Sequence, residues 1–190
     1  MKEDEAMNRD AEFEELKRTV TELKDRQAIL DVIHHESRGR DRQDVDLIDS
    51  CWWPEGIDEH GPIIMTAPDY PARANAGHAR FFSATMHNLT THTCEIEGNT
   101  AHSETYVIGT MLSPDKQSMK IAPGRYFDRL EKRGNEWRLL YRRCTVEMSM
   151  DGSSEWVNGP MCKGFLRSVW SKEDKSYQRP IEVGTDGERW

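Results

Sequence analysis

Residues 119–150 read MKIAPGRYFDRLEKRGNEWRLLYRRCTVEMSM, the pattern of two β-strands joined by the turn Arg133-Gly134-Asn135. Two more strand candidates precede this hairpin, and the turn residues Glu-Gly-Asn and Ser-Pro-Asp separate the candidates from each other and from the hairpin. The four predicted strands cover about 89–97, 100–112, 119–132 and 136–150. Their order predicts a four-stranded antiparallel meander.

Helical patterns occupy the part of the chain before these strands. The predicted elements are a long helix over about 11–40 that Gly39 closes, a second helix over 44–53 that Pro54 stops, a short strand near 57–65, and a third helix over 69–85 with Pro71 near its start. Helices followed by a run of strands indicate an α+β domain, in which helices cover one face of a strongly curved antiparallel sheet. The concave face would then line a pocket.

One domain accounts for most of the chain. At 190 residues the protein has the size of one ordinary domain with room for a sizeable core. We place this domain at 1–150 and expect residues 1–10, which are strongly charged, to be mobile. A C-terminal extension, 151–190, is predicted to hold a short helix over 161–170 and a polar, mobile tail over 171–190.

Composition and motifs exclude several classes of function. The net charge of −8 opposes binding to phosphate backbones, so we expect no nucleic-acid partner. The start of the chain lacks the pattern of a secretory signal, and no apolar stretch approaches membrane-spanning length; we therefore expect a cytoplasmic protein without a membrane partner. Gly-rich phosphate loops are absent from the sequence, so no nucleotide cofactor is implied. Four widely spaced cysteines are expected to be buried thiols: Cys51, Cys94, Cys144 and Cys162.

An apolar seam on the first predicted helix turns polar towards its end. In steps of three and four residues it contains Phe13, Leu16, Val20, Leu23, Gln27, Leu30, His34, Ser37 and Asp41. A helix that packs on a core keeps such a stripe apolar. The arrival of His34, Ser37 and Asp41 in succession therefore predicts that the helix ends in a cavity that needs polar groups.

Seven histidines raise the question of a metal site. The sequence has no His-Glu-x-x-His motif, and a facial triad of two histidines and one carboxylate cannot be told from chance without geometry. We therefore predict a site without metal or other cofactor.

Asp41 and His87 are candidates for catalysis. Asp41 could orient a histidine and make it a general base near neutral pH, or it could cap the second helix together with Asp44. His87 lies near the start of the first long strand, where topology favours it as the partner. It could equally be a strand-edge histidine bonded to a loop. The residues alone leave these alternatives open.

Arg142 and Arg143 are adjacent on the last predicted strand, so one of them must face the concave side of the sheet. A buried arginine there needs an anion. The anion could be a carboxylate such as Asp41 or Glu36, or a negative charge that develops during a reaction.

Aromatic residues offer walls for a pocket that binds an aromatic molecule. Trp52 and Trp53 follow the second helix, and Tyr106 and Tyr126 lie on predicted strands. The same residues could simply be core.

The chain resembles the SnoaL-like branch of the nuclear-transport-factor-2-like superfamily over about residues 15–150. The matching segments are 23–33 (LKDRQAILDVI), 38–44 (RGRDRQD), 51–54 (CWWP), the helix through His78 to His87, and the hairpin 124–137 (GRYFDRLEKRGNEW). The resemblance implies a cone, in which N-terminal helices and a curved antiparallel sheet enclose the site. It also implies a homo-oligomer, either a dimer or a trimer.

The branch includes scytalone dehydratases, hexachlorocyclohexane dehydrochlorinases and lignin diarylpropane lyases, which are cofactor-free lyases. The resemblance assigns their Asp–His dyad to Asp41 and His87, and the arginine on the last strand to Arg142 or, with a one-residue shift, to Arg143. Two positions depart from the branch: Arg40 stands where the dehydratases have tyrosine, and Glu36 where the dehydrochlorinases have lysine. With His34 and Ser37, these two residues are expected to determine substrate preference.

The function implied is a cofactor-independent lyase that removes water or formaldehyde from a hydrophobic, aromatic, hydroxylated small molecule. Breakdown of lignin-derived diarylpropane diols is one specific reaction of this kind. Two other classes remain open at this stage: a non-catalytic binding or assembly module, and the small subunit of a ring-hydroxylating oxygenase.

Overall fold

In the described chain two helices, two short strands and a third helix precede the main run of strands, which confirms the predicted α+β class. The computed structural model describes residues 2–184 and 186–190, with side chains from Met7 onward. The helices are α1 (Lys2–Arg42), α2 (Val45–Ser50) and α3 (Tyr70–Phe81), with short 3-10 turns at Glu155–Asn158 and Lys175–Tyr177. The strands are β1 (Trp52–His60), β2 (Ile63–Thr66), β3 (Ala84–Glu97), β4 (Thr100–Leu112), β5 (Ser118–Arg133), β6 (Glu136–Val146) and β7 (Met150–Ser153).

The strands form one curved, open sheet in the order β2-β1-β6-β5-β4-β3, and β7 pairs with β5. The meander from β3 to β6 is antiparallel throughout, as the sequence predicts. The pairing of β1 was not predicted: it is antiparallel to β2 and parallel to β6. This parallel pair carries the segment after α2 into the middle of the sheet.

The core lies between the second half of α1 and the inner face of the sheet. Ile29 and Ile33 of α1 are fully buried, together with Leu130 of β5 and Leu139 of β6. Trp52 packs edge-to-face on Tyr70 with ring centroids 5.4 Å apart. Burial of these large side chains supplies most of the hydrophobic stabilisation.

The seam on α1 does not face this core along its first half. Its early apolar residues are exposed by 46–60 %: Phe13, Leu16, Val20 and Leu23. The buried face instead contains Ile29, Ile33, Glu36 and Arg40. At about 100° per residue, the two faces lie roughly 150° apart around the helix. The expectation that the seam packs on the core is therefore wrong for these four positions, whereas its last two residues, Ser37 and Asp41, are buried.

Several predicted boundaries move because long-range pairing overrides local pattern. α1 runs on both sides of the predicted 11–40, starting at Lys2 and passing through Gly39. α2 ends at Ser50 instead of reaching Trp53, because Trp52 pairs with Leu139 of β6. The end of the predicted third helix belongs to β3, which pairs with β4 from Ala84 onward.

The C-terminal extension also differs from expectation. No helix forms over 161–170 in the described chain, and residues 172–177 contact the α1–α2 corner instead of forming a free tail. Lys172 binds Asp46 at 2.7 Å. The four thiols are free; two are buried and two, Cys94 and Cys144, are half-buried. No helix within the described ranges is long and apolar enough to cross a membrane.

Gly39 allows α1 and α2 to pack closely. A Cβ atom at this position would lie 2.6 Å from Cγ1 of the buried Ile48. We expect Gly39→Ala to lower the free energy of unfolding by about 1–3 kcal/mol, because the core must shift to accept the methyl group. The matched control is Gly77→Ala in α3, where a Cβ would meet nothing within 4 Å. That change should raise stability by about 0.5–1 kcal/mol. Urea unfolding measures both, and equal stabilities for the two variants would contradict the close packing.

Candidate active site

Asp41 and His87 form a hydrogen-bonded pair where the end of α1 meets the start of β3. Oδ1 of Asp41 lies 2.7 Å from Nδ1 of His87, and Oδ2 accepts the His87 backbone N–H at 2.8 Å. The Thr85 hydroxyl donates a further bond to Oδ1 at 3.0 Å. The two paired side chains are only 12 % and 10 % exposed. Hydrogen bonds from β3 thus fix the carboxylate, and the carboxylate in turn orients the imidazole.

The local sequence explains how this pair is positioned. α1 continues through Arg42, so Asp41 lies in its last turn. The cap of α2 is Asp44, whose side chain accepts the Leu47 backbone N–H at 3.2 Å. The capping role considered for Asp41 therefore belongs to Asp44, and the Asp41 carboxylate is available to β3.

The carboxylate also determines which nitrogen of His87 is free. A carboxylate beside Nδ1 favours the tautomer with its proton on Nδ1, which leaves the lone pair on Nε2. No residue in the described part of the chain hydrogen-bonds Nε2 of His87. This atom can therefore act as a base towards a bound molecule.

A cavity of about 410 Å³ opens beside the pair. It is lined by His34, His35, Ser37, Arg38, Asp41, Arg42, His87 and Leu89. The Ser37 hydroxyl is buried and has no partner among the described residues, so a ligand can bind it. The predicted residues His34 and Ser37 both lie on this cavity, although the His34 side chain is on its exposed rim.

The C-terminal segment supports one wall of the cavity. Arg42 donates to Asp174 at 3.0 Å, and the Arg38 guanidinium lies 4.5 Å from the centre of the Tyr177 ring. The Tyr177 hydroxyl donates to Asp44 at 2.7 Å. Sequence reasoning missed this wall because the segment is polar. An aromatic residue within that polar stretch was the available signal.

Arg40 is buried near the pair, and its hydrogen bonds go to neutral groups. Its guanidinium donates to the Tyr70 hydroxyl at 2.9 Å and lies 3.2 Å from Nε2 of His78 and 3.5 Å from Nε2 of His60. Its Nε–H has no partner among the described residues. Arg40 is thus a buried cation with one unused donor, and it does not line the cavity beside His87. Its expected contact with substrate stays a prediction.

His78 connects Arg40 to His87. Its ring stacks on the His87 ring with centroids 5.8 Å apart and an interplanar angle of 23°. Burial, reinforced by the charge of Arg40, lowers the pKa of His78 to about 3, so the ring is neutral. Because Nε2 faces the Arg40 guanidinium, the proton resides on Nδ1, which is buried without a described partner.

A second histidine–carboxylate pair lies on the other side of Arg40. Nδ1 of His60 is 3.0 Å from Oδ1 of the fully buried Asp58. The only sign of this pair in the sequence is the spacing of two residues along β1, which places both side chains on one face. Within residues 2–184 and 186–190, no group of three or more His, Cys, Asp or Glu side chains is arranged to hold a metal ion.

Arg142 is the buried member of the arginine pair on β6. Its Nε and Nη2 donate to the two oxygens of Asp128 at 2.7 and 2.8 Å, and its Nη1 donates to Glu36. It also lies 4.0 Å from the centre of the buried Tyr126 ring. Burial alone would raise the pKa of Glu36, but the charges of Arg142 and Arg40 outweigh it and lower the pKa to about 2. Arg142 thus lies in a buried network in which it is already paired with two carboxylates, Glu36 and Asp128.

A β-bulge decides which arginine is inside. Leu130 pairs with Leu139 while the preceding Arg129 pairs with Tyr141, so Leu140 is an extra residue on β6. In a regular strand the inward side chains are two residues apart. Because of the bulge, the next inward side chain after Leu139 is that of Arg142, three residues later. Arg143 faces outward and donates two bonds to Glu59.

Two aromatic residues that were predicted to form pocket walls do not line the cavity beside His87. Tyr106 is 45 % exposed on the outer face of the sheet, where it contacts Arg125. Trp53 donates to the Glu131 carbonyl and packs beneath the guanidinium of Arg133, away from the cavity. Both expectations are wrong because the alternation along their strands points these side chains outward.

Comparison with known proteins places the chain in a family. The profile of the SnoaL-like domain matches residues 21–143. The chain belongs to the SnoaL-like domain family. Among proteins of curated function, none matches the sequence of this SnoaL-like protein.

Solved structures share the fold of this SnoaL-like protein at low sequence identity. A scytalone dehydratase candidate from Novosphingobium aromaticivorans has a TM-score of 0.64 at 20 % identity, covering 70 % of this chain and 91 % of its own. A type 2 hexachlorocyclohexane dehydrochlorinase has a TM-score of 0.66 at 17 % identity, covering 70 % and 93 %. A Mycobacterium tuberculosis protein of unknown function has a TM-score of 0.61 at 24 % identity, covering 68 % and 75 %. These similarities confirm the predicted cone fold.

Proposed function

We propose that this SnoaL-like protein is a cofactor-independent lyase in which His87 is the general base and Asp41 its orienting partner. The observation that carries the proposal is that both Asp41 oxygens bind the same residue. Oδ1 is paired with the His87 ring, and Oδ2 accepts the His87 backbone N–H. This arrangement holds the imidazole with its free Nε2 beside a cavity. A histidine so placed can remove a proton from a bound molecule.

The substrate proposed is a hydroxylated aromatic compound. The cavity is lined mainly by polar groups that suit hydroxyls, including the unpartnered Ser37 hydroxyl. Its imidazoles and guanidiniums are planar groups on which an aromatic ring can stack. The names of two structural neighbours, a dehydratase and a dehydrochlorinase, agree with elimination chemistry.

Two eliminations fit such a base. In a dehydration, Nε2 takes a proton from carbon, the C–H electrons form a C=C bond, and the neighbouring hydroxyl leaves with a proton as water. In a 1,3-diol, Nε2 takes the proton of the primary hydroxyl, formaldehyde forms as the C–C bond breaks, and the released electrons form a C=C bond as the second hydroxyl leaves as water. In both steps the proton that Nε2 has taken passes to the departing hydroxyl, so atoms and charges balance without an oxidant.

Arg40, more than Arg142, is suited to stabilise the negative charge that develops. Arg142 already donates to two carboxylates, whereas Arg40 donates only to neutral groups and keeps its Nε–H free. The protonated Nδ1 of the neighbouring His78 offers a second donor. We expect Arg40→Lys to lower kcat far more than it raises KM, because the planar guanidinium would stabilise charge in the transition state more than in the bound substrate.

The test is turnover without added metal. The purified protein is incubated with chelator and a panel of hydroxylated aromatic compounds, including aryl propane-1,3-diols, and mass spectrometry follows loss of water or formaldehyde. The expected result is conversion of at least one class of compound. Recovery of unchanged compounds that nevertheless raise the melting temperature would show a binding module. Activity that needs stoichiometric iron or a large partner subunit would show an oxygenase component.

A further inference from the structure

The first half of α1 projects away from the rest of the protein. The helix is anchored to the sheet at Asp25, whose carboxylate accepts from Lys132 at 2.7 Å and from Trp137 at 2.9 Å. Every described side chain before it, from Met7 to Lys24, is exposed. Arg18, Thr21 and Glu22 still border a cavity with Ile96 and Gly98 at the end of the sheet. The part that extends beyond the body is therefore 7–17, roughly 16 Å long at 1.5 Å per residue.

A projecting helix of this length gains little stability from interactions among its own residues. Isolated helices shorter than about 12–15 residues are marginal in water, and longer ones still depend mainly on packing of an apolar face. Ion pairs along the surface, such as Lys17 with Glu14 at 3.1 Å, connect side chains that are 60 % and 69 % exposed and add little. The projecting segment therefore needs a partner that covers its apolar residues.

The apolar residues of this segment follow a heptad pattern. Phe13 and Val20 take the a positions and Leu16 and Leu23 the d positions, with exposed fractions of 58, 46, 58 and 60 % respectively. A seam with this 3,4 spacing fits another helix with the same spacing, and side chains then interlock as knobs into holes.

We propose that this seam binds a second copy of the same chain in a parallel two-stranded coiled coil. Val at a with Leu at d, as in the layers Val20 and Leu23, favours two strands in a parallel arrangement. The flanking residues agree: Glu12 at g faces Lys17 at e of the second copy, and each such pair forms twice across the two-fold axis. The next g–e pair, Thr19 with Lys24, is free of like-charge repulsion.

The orientation of the seam permits this pairing. It lies roughly 150° around the helix from the face that packs on the sheet, at about 100° per residue. A second helix can therefore contact Leu16 clear of the body, and at Leu23 it would enter the open cavity that Leu23 lines with His92–Cys94 of β3. A self-complementary seam of this kind forms a closed dimer, because both copies use the same residues.

Sedimentation of the full chain tests the proposal. The wild type should have twice the 22.0 kDa mass of the monomer at micromolar concentration. The double variant Leu16→Glu/Leu23→Glu should weaken association by at least 100-fold, since it buries four carboxylates in the interface. The matched control, Met7→Glu/Ala11→Glu, adds the same charge at exposed positions on the side of the helix opposite the seam and should remain dimeric.

Cross-linking tests the parallel register independently. In that register the two Val20 residues face each other, so Val20→Cys should form a disulfide-linked dimer on mild oxidation, and the wild type with its four native thiols should not. A monomeric wild type, or a seam variant that keeps the dimeric mass, would overturn the proposal. A seam variant that is dimeric and a Val20→Cys variant that fails to cross-link would together assign the contact to another surface.

Discussion

Replacement of His87 by Ala is expected to lower kcat by about 10²- to 10⁴-fold, the usual contribution of a positioned general base. Asp41→Asn should have an effect of the same order. Its amide can turn an N–H towards Nδ1 of His87, which favours the tautomer with the proton on Nε2 and removes the base. Initial rates on whichever compound the wild type converts measure both effects.

The matched control for these variants is His102→Ala. His102 is an exposed histidine on the outer face of β4, far along the strand from the pair. This change should leave both kcat and the melting temperature near the wild-type values. If His87→Ala and Asp41→Asn retained wild-type rates, the pair would have a structural role and the proposed mechanism would be abandoned.

Replacement of Arg142 by Met should be the most destabilising single change in the buried network. It leaves Glu36 and Asp128 without their shared cation, and both carboxylates are completely buried. Removal of one partner from a buried ion pair costs about 3–5 kcal/mol, so the free energy of unfolding should fall by that amount. Urea unfolding at neutral pH measures the loss.

Arg143→Met is the matched control, because Arg143 pairs with Glu59 on the exposed face of the same strand. Its effect should be much smaller. A third variant, Arg142→Met with Glu36→Gln and Asp128→Asn, removes the unpaired charges and should recover much of the stability. Equal effects of the two single arginine variants would show that the buried network contributes no more than a surface pair.

The antiparallel meander and the first helix were predictable because they depend on local patterns. The turn at Gly134 and the alternation of the flanking strands specify the β5–β6 hairpin from the turn as far as the pair Leu130–Leu139, beyond which the bulge at Leu140 shifts the register. The polar end of the seam correctly predicted burial of Ser37 and Asp41. Topology favoured His87 as the partner of Asp41, the family resemblance assigned both to a dyad, and in the structure they are in hydrogen-bond contact.

Other features depend on contacts that local patterns do not contain. Trp52 belongs to a strand because β1 pairs in parallel with β6, more than 80 residues later in the chain. The role of Arg40 depends on Tyr70, His78 and His60, which come from two segments, α3 and β1, that are distant from α1 in the sequence. The sequence does not show which of these distant residues contact each other, and each one alone is typical of ordinary core or surface.

The apolar half of the seam illustrates a different source of error. Periodicity shows that Phe13, Leu16, Val20 and Leu23 share a face, and that conclusion is correct. It does not show what covers the face. The assumption that a single chain must bury its own apolar stripe led to the wrong expectation for these residues.

The extra residue on β6 makes this strand unusually tolerant of losing a residue and intolerant of gaining one. Deletion of Leu140 would restore regular alternation while leaving Leu139 and Arg142 on the inner face, so the ion network could survive a shorter strand. Insertion of one residue nearby would have to be absorbed by a second irregularity or would turn Arg142 towards solvent. Among descendants of this sequence, β6 should therefore shorten at this point more readily than it lengthens.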